Sequence, residues 1–383
     1  MNARRAVVAL AAAAVLTGCA SGTPAAPRTP DSAPVAPAPS PSAEKSGSAG
    51  KAAPATPRGT LLVADFGADT VTFVDPHPGH RRPVLGSVEV GTAPYGLVVD
   101  DEGLAWVATA EGVAVVDTET RTRLARIPYR TRTGPVTTGE YRGGGMGIAL
   151  APDGRHVYVG VNVPGRDGVL ETIDTATREV TGTVPVGRRP FDVDVSPDGA
   201  EVYATGHDSF DVTAVNTSGG RTRRFEVAPY GTEGGLGSWL KPHYAVVRPA
   251  DGKLLLPFEG ERLVVLDPRT GRSTIEPMTA DTHQHGATLA PDGTLLVVGT
   301  GPILSEDEGP SLTIRTPGGS ERVVPLDGPH EDVAVSGDSR TAYVTEGFTR
   351  EGYGNGITVV DLTGEHRPFE VAAGTRPLGI AIL

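Results

Sequence analysis

Short apolar runs of four to six residues recur along the chain from about residue 60 to its end, each broken by Gly, Pro, Asp or Asn. Alternating or β-branched runs bounded by such residues predict strands rather than helices. One turn repeats almost unchanged: Ala151-Pro152-Asp153-Gly154, Ser196-Pro197-Asp198-Gly199 and Ala290-Pro291-Asp292-Gly293. Looser copies are Asp100-Asp101-Glu102-Gly103, Pro249-Ala250-Asp251-Gly252 and Ser336-Gly337-Asp338-Ser339. Asp accepts bonds from the turn backbone and Gly supplies the positive φ that the turn needs. A second signal follows in each unit, a β-branched run ending in Asp or Asn: Val113 to Asp117, Leu170 to Asp174, Val212 to Asn216, Leu263 to Asp267 and Ile357 to Asp361. These acids recur once per unit at a turn, so they are read as hairpin caps and not as a ring of ligands.

Each unit therefore reads as four strands, a to d. The residue at the head of strand a is Tyr95, Met146, Phe191, His243, His285, Glu331 and Leu378 in successive units, 42 to 52 residues apart. Such a period indicates a repeat architecture, and four short strands per unit indicate a propeller blade. Six complete units lie between Tyr95 and Leu378. The seventh is split: Thr60 to Gly91 supplies three strands without a strand a, and Arg376 to Leu383 supplies a lone strand a. The expected fold is an all-β, seven-bladed β-propeller of four-stranded blades, closed by the C-terminal strand joining the N-terminal blade. Closure removes exposed sheet edges.

Within a blade, strand direction alternates, so the b–c loops and d–a connections open on one face. The long connections Thr131 to Gly145, Tyr230 to Lys241, Gly299 to Pro310 and Glu346 to Gly356 all fall there. Long loops in a compact domain are usually functional, so this is the expected working face. Histidines gather on it. His243 and His285 occupy equivalent heads of adjacent blades, and His330 precedes the next head, Glu331. His283 lies two before His285 and points the same way in an extended chain. His207, Glu259 and Glu346 begin b–c loops. Imidazole and carboxylate together suit a divalent metal, zinc or copper. The expected ligands are His243, His285 and His330, with His207, His283, Glu259 and Glu346 as weaker candidates. Glu331, Glu346 and His330 are the candidate general bases. Trp239 is a candidate for stacking on a ligand.

The repeats resemble the YVTN-repeat, lactonase-like propeller family. The residues that carry the resemblance are Tyr343-Val344-Thr345-Glu346, Tyr158-Val159-Gly160-Val161 and Tyr203-Ala204-Thr205-Gly206, with the Ser-Pro-Asp-Gly turns. The family's motif usually has Asn where Glu346 stands. Tyr95-Gly96-Leu97-Val98-Val99 followed by Leu104-Ala105-Trp106-Val107 is closer to streptogramin-lyase or NHL-type repeats. Such propellers include lactonases, lyases, metal proteins and binding scaffolds, so the resemblance implies a fold and leaves the function open.

The first 59 residues differ in composition from the repeats and suggest where such a propeller would be held. Arg4 and Arg5 precede an apolar run, Ala6 to Leu16, too short to span a bilayer but suited to a signal peptide. Leu16-Thr17-Gly18-Cys19 resembles a bacterial lipobox. The expected organisation is a signal peptide over 1–18, a lipidated Cys19 with a disordered Ala/Pro/Ser-rich tether over 19–59, and the propeller over 60–383. The expected location is the outer face of the bacterial cell membrane, reached by the Sec or the twin-arginine route. Ala20 to Gly59 holds nine prolines and no aromatic residue, so it cannot bury enough apolar surface to fold. Extended, it reaches on the order of 100 Å.

Composition narrows the chemistry. Cys19 is the single cysteine, which excludes an internal disulfide and a Cys-based metal site. The net charge is −12 with no long basic run, which argues against nucleic acid as a partner. There is no Gly-x-Ser-x-Gly nucleophile elbow. Three readings follow: a monomeric, membrane-anchored scaffold that binds a small ligand, metal or protein at the channel face; a metal-dependent lactonase-type hydrolase or lyase using the same His/Glu cluster; or a structural role.

Overall fold

The computed structural model describes residues 59–228, 241–258, 262–301, 308–350 and 353–383. Cys19, Trp239 and Glu259 lie outside the described residues, as does most of the loop Tyr230 to Lys241. Among the described residues there is no helix; there are 28 strands in seven four-stranded antiparallel sheets. The blades follow the repeat units. Blade 1 takes its inner strand, Pro377–Ile382, from the C-terminus and pairs it with Leu61–Asp65. The inner strands of blades 2 to 7 are Leu97–Val99, Gly144–Leu150, Pro190–Val195, Val246–Arg248, Gln284–Leu289 and Val333–Val335.

The turns form for the reasons that their residues suggest. Asp198 accepts from the Ser196 hydroxyl and the Ala200 amide, while Gly199 takes a φ of +70°. The acids that end the c strands cap the following hairpins: Asp117 accepts from the Glu119 and Thr120 amides, and Asp361 from Thr363. Alternation along each strand sends successive side chains to opposite faces. Leu254 and Leu256 therefore pack toward blade 4 with Phe210 and Val212, whereas Leu255 packs toward blade 6 with Val297. Every pair of neighbouring blades has such a buried apolar cluster, and one further cluster sits on the axis.

Inner strands of adjacent blades approach so closely that the residue after the head is under constraint. At Gly147 an added Cβ would lie 2.5 Å from Asp192 Cα, and at Gly286 one would lie 2.6 Å from Asp332 Cα. The absence of a side chain lets Gly286 N donate to Glu331 O across the blade boundary at 2.9 Å. Blade 4 uses Asp192 at the equivalent position, and its Oδ2 accepts the Ala245 amide of blade 5 at 2.8 Å. This stitching holds the seven heads at one level around the axis.

Candidate metal centre

The seven head residues form a ring, and the ring is packed rather than open. Tyr95, Met146, Phe191, His243, His285, Glu331 and Leu378 are all buried. One arc is apolar: Tyr95, Met146, Phe191 and Leu378 cluster with Phe66 and Ala93. The other arc is His243, His285 and Glu331. The two meet where the Tyr95 hydroxyl donates to Glu331 Oε1 at 2.9 Å, and where Phe191 packs edge-on to His243 with centroids 5.3 Å apart.

His283 joins the polar arc. One nitrogen from each of His243, His283 and His285 lies within 4.8 Å of the others, and all three residues are buried. Burial pushes His243 and His283 well below the usual imidazole range, and the neighbouring imidazoles push the same way. Both are therefore neutral at physiological pH, the form that binds a metal.

The tautomers can be followed. His207 Nε2 lies 3.1 Å from His243 Nε2, so one of the two carries the proton between them. His207 Nδ1 faces both Arg189 Nη2 and Asp208 Oδ1 at 2.7 Å. If His207 Nδ1 donates to Asp208, His243 donates from Nε2 and its Nδ1 has a lone pair with no donor. If it accepts from Arg189, His243 Nδ1 carries a proton with no acceptor. Either way His243 Nδ1 is buried without a hydrogen-bond partner among the described residues. A bound cation satisfies the first arrangement, so the residues present fit a metal. Burial, aided by Arg189 against the opposing Asp208, brings His207 down to about 3 and keeps it neutral.

His285 is held from behind. Its Nδ1 lies 3.1 Å from Glu331 Oε1, and Glu331 is completely buried, with Tyr244 Oη 3.5 Å away. Donation from Nδ1–H to the carboxylate leaves Nε2 with its lone pair. This is the carboxylate–histidine arrangement that orients ligands from outside a metal's coordination shell.

Of the residues expected from sequence, the structure thus brings together His207, His243, His283 and His285, with Glu331 behind them. His330 and Glu346 sit elsewhere. His330 Nδ1 donates to Gly328 O at 2.6 Å, and its Nε2 lies 2.8 Å from the Thr358 hydroxyl, so both nitrogens are engaged. Thr358 in turn lies 3.3 Å from Glu346 Oε1. Both residues stand just before their inner strands, His283 two residues before its head and His330 one, and the chain turns the two rings into different surroundings. Glu140, Arg189 and Arg350, which approach the cluster from distant parts of the chain, left no periodic mark in the sequence, and the place of Tyr95 in the repeat does not reveal its bond to Glu331.

Burial, with the Glu370 charge, raises Glu346 from 4.5 to about 7. Because the folded value lies above the unfolded one, protonation favours the fold. That stabilisation is complete below about pH 4.5 and is lost as pH rises through about 7. Glu346→Gln should match wild type in melting temperature at the acidic end and exceed it increasingly toward pH 8. Parallel melting curves at both ends would refute this.

No protein-family model matches the chain. Over 127 residues it is 28% identical to the hydrazine synthase subunit beta of Kuenenia stuttgartiensis, a stretch covering 28% of this chain and 31% of that protein. The chain thus matches less than a third of that relative's length. Among solved structures it is similar to Kuenenia stuttgartiensis hydrazine synthase, with a TM-score of 0.58 and 16% identity over 74% of this chain and 86% of that one. It is also similar to virginiamycin B lyase from Staphylococcus aureus, with a TM-score of 0.57 and 16% identity over 75% and 88%. The same lyase, solved with quinupristin as a catalytically inactive His-to-Ala variant, gives a TM-score of 0.56 and 15% identity over 82% and 88%. At these identities the solved structures share the propeller fold with this chain.

Proposed function

We propose that this protein is a cation-binding propeller in which His243, His283 and His285 supply the ligands and Glu331 positions His285. The observation that carries the reading is the convergence of three buried imidazole nitrogens within 4.8 Å. Neutral imidazoles favour zinc or copper over the hard cations that prefer oxygen. Three protein ligands leave a position for an exchangeable ligand, which suits a site that takes up and releases its cation or presents it to a second molecule. The test is metal content after purification without a polyhistidine tag and dialysis against zinc or copper. About one equivalent per chain is expected, and less than about a tenth in wild type would end the proposal.

A lyase or hydrolase is the second reading, favoured by the fold shared with virginiamycin B lyase and by that enzyme's inactivation on loss of a histidine. On this reading the cation polarises a substrate carbonyl. Glu331 is committed to Tyr95 and His285, whereas Glu346 has the raised value of a proton acceptor but lies apart from the imidazoles against Thr358, so a substrate would have to reach from the cation to that loop. Metal-dependent turnover of a panel of lactones and cyclic depsipeptides would select this reading; bound metal without turnover would select the scaffold.

We further propose that Cys19 is acylated and holds the propeller outside the cell membrane. The apolar run and the Leu16-Thr17-Gly18-Cys19 motif support this. Cys19→Ser should move the protein from the membrane fraction to the soluble one, and unchanged partitioning would count against the anchor.

A further inference from the structure

Two loops of the working face are tied together across the ring. The connection between blades 2 and 3 carries Glu140, and the b–c loop of blade 7 carries Arg350, 210 residues away in sequence. Arg350 donates from Nε to Glu140 Oε2 at 2.8 Å and from Nη2 to Oε1 at 3.1 Å, a bidentate pair. The blades joined are not neighbours, and each neighbouring pair already has its own apolar cluster. A partly exposed ion pair adds little to such a fold, so its position is the more informative property.

Both loops rest on the histidines. Phe348, two residues before Arg350, packs edge-on to His285 with centroids 5.6 Å apart. On the other side, Glu140 Oε1 lies 3.5 Å from Arg189 Nη1. Arg189 is buried, lies against the Tyr141 ring at 4.0 Å and faces His207 Nδ1, and His207 faces His243. A continuous series of contacts therefore runs from Arg350 through Glu140, Arg189 and His207 to His243. The loop that carries Glu140 is not packed along its length. Gly139, with φ of +102°, and Gly134, with φ of +87°, have open space where a Cβ would stand, so they serve the backbone path and not packing. At its base the loop is fixed, because buried Glu171 accepts the Arg130 and Thr131 amides.

We propose that the Glu140–Arg350 pair is a latch that sets how fast a cation reaches and leaves His243, His283 and His285. This rests on the cation-binding reading. Closed, the two loops hold Phe348 and Arg189 against the cluster. Open, they expose it without removing a ligand, so exchange changes far more than affinity does.

The test uses Glu140→Gln and Arg350→Gln in the full chain. Zinc-loaded protein is mixed with excess EDTA and release is followed by stopped flow, with uptake measured separately. Each variant should accelerate both by about two- to fivefold, the factor that a partly exposed pair can carry, while the dissociation constant moves by less than about 1.5-fold. Release at the wild-type rate in both variants would overturn the latch. A second readout needs no metal: the rate at which diethylpyrocarbonate modifies His243, His283 and His285 in the apo protein, with exposed His77 and His366 as internal references. Faster modification in the variants, with no cation bound by wild type, would leave the latch standing and remove the cation reading. Unchanged modification, whether or not a cation binds, would remove the latch.

Discussion

Replacing His243 and His285 together with alanine should strip the protein of its cation. The two imidazoles are two of the three proposed ligands, and their rings stack with centroids 4.3 Å apart. Loss of a supporting residue outside the coordination shell typically costs 10–100-fold in metal affinity, so loss of two ligands should exceed about 100-fold. Under dialysis conditions that leave wild type with about one equivalent, the variant should retain less than about a tenth. Two buried rings are being removed beside Phe191 and Tyr244, so the fold must be checked in parallel. Cooperative unfolding of the apo variant, with the circular dichroism of the wild type, separates lost ligands from a lost fold. Glu331→Gln supplies the graded comparison: the carboxamide can still accept from Tyr95, but a weaker acceptor faces His285. Its affinity should fall by about 10–100-fold without vanishing. A double variant that kept one equivalent would place the bound metal outside this cluster.

The blade architecture was legible because it is written repeatedly. Each unit carries the same turn chemistry and the same spacing to the next head residue, so an irregular blade is corrected by its neighbours. The split blade was legible for the same reason: three strands at one end and one at the other complete a unit. The site was legible in part. His243 and His285 stand at equivalent heads, and equivalent heads must face the axis together. His283 follows from parity, as a residue two away on the same side. His330 reads in the sequence as the ligand from the third of three adjacent blades, whereas in the fold its ring turns toward Thr358. Glu331 reads in the sequence as a candidate base, whereas in the fold it accepts from Tyr95, 236 residues distant, and holds His285. Repeats determine which residues reach the axis. They do not determine which side chains then meet across it, because that depends on rotamers and on the paths of loops that differ from blade to blade. Arg189 shows the limit: nothing in Arg188-Arg189-Pro190 distinguishes an exposed arginine from one buried between Tyr141 and His207.

Removal of residues 377–383 should abolish cooperative folding of the propeller. The strand Pro377–Ile382 is the inner strand of blade 1, and its register runs Leu61 to Ile382, Leu62 to Ala381 and Val63 to Ile380. Around it, Gly59 N donates to Leu383 O, Leu383 N to Thr60 O, and Phe66 N to Arg376 O. It also ties blade 1 to both neighbours: Gly379 N donates to Tyr95 O of blade 2, and the Thr345 hydroxyl of blade 7 donates to Leu378 O. Leu378 is fully buried on the axis, while Ile380 packs with Ile357 and Val359 of blade 7. Full burial of each side chain is worth about 1.5–3 kcal/mol before any hydrogen bond is counted. A domain typically has only about 5–15 kcal/mol of net stability. The truncation would also leave Leu61–Asp65, still paired to Thr70–Val74 on one side, as an open and mostly apolar sheet edge, a template for aggregation. Loss of the soluble, cooperatively unfolding species is therefore expected. Leu378→Ala should fold but lose about 2–5 kcal/mol in denaturant unfolding, since it removes packing and leaves the ladder intact. The separation between these two outcomes is the informative quantity. If truncation cost no more than the single substitution, ring closure would contribute only the packing of one side chain. If truncation prevents folding while Leu378→Ala does not, the paired strand itself closes the ring, and the level at which His243 and His285 meet depends on the pairing of Pro377–Ile382 with Leu61–Asp65.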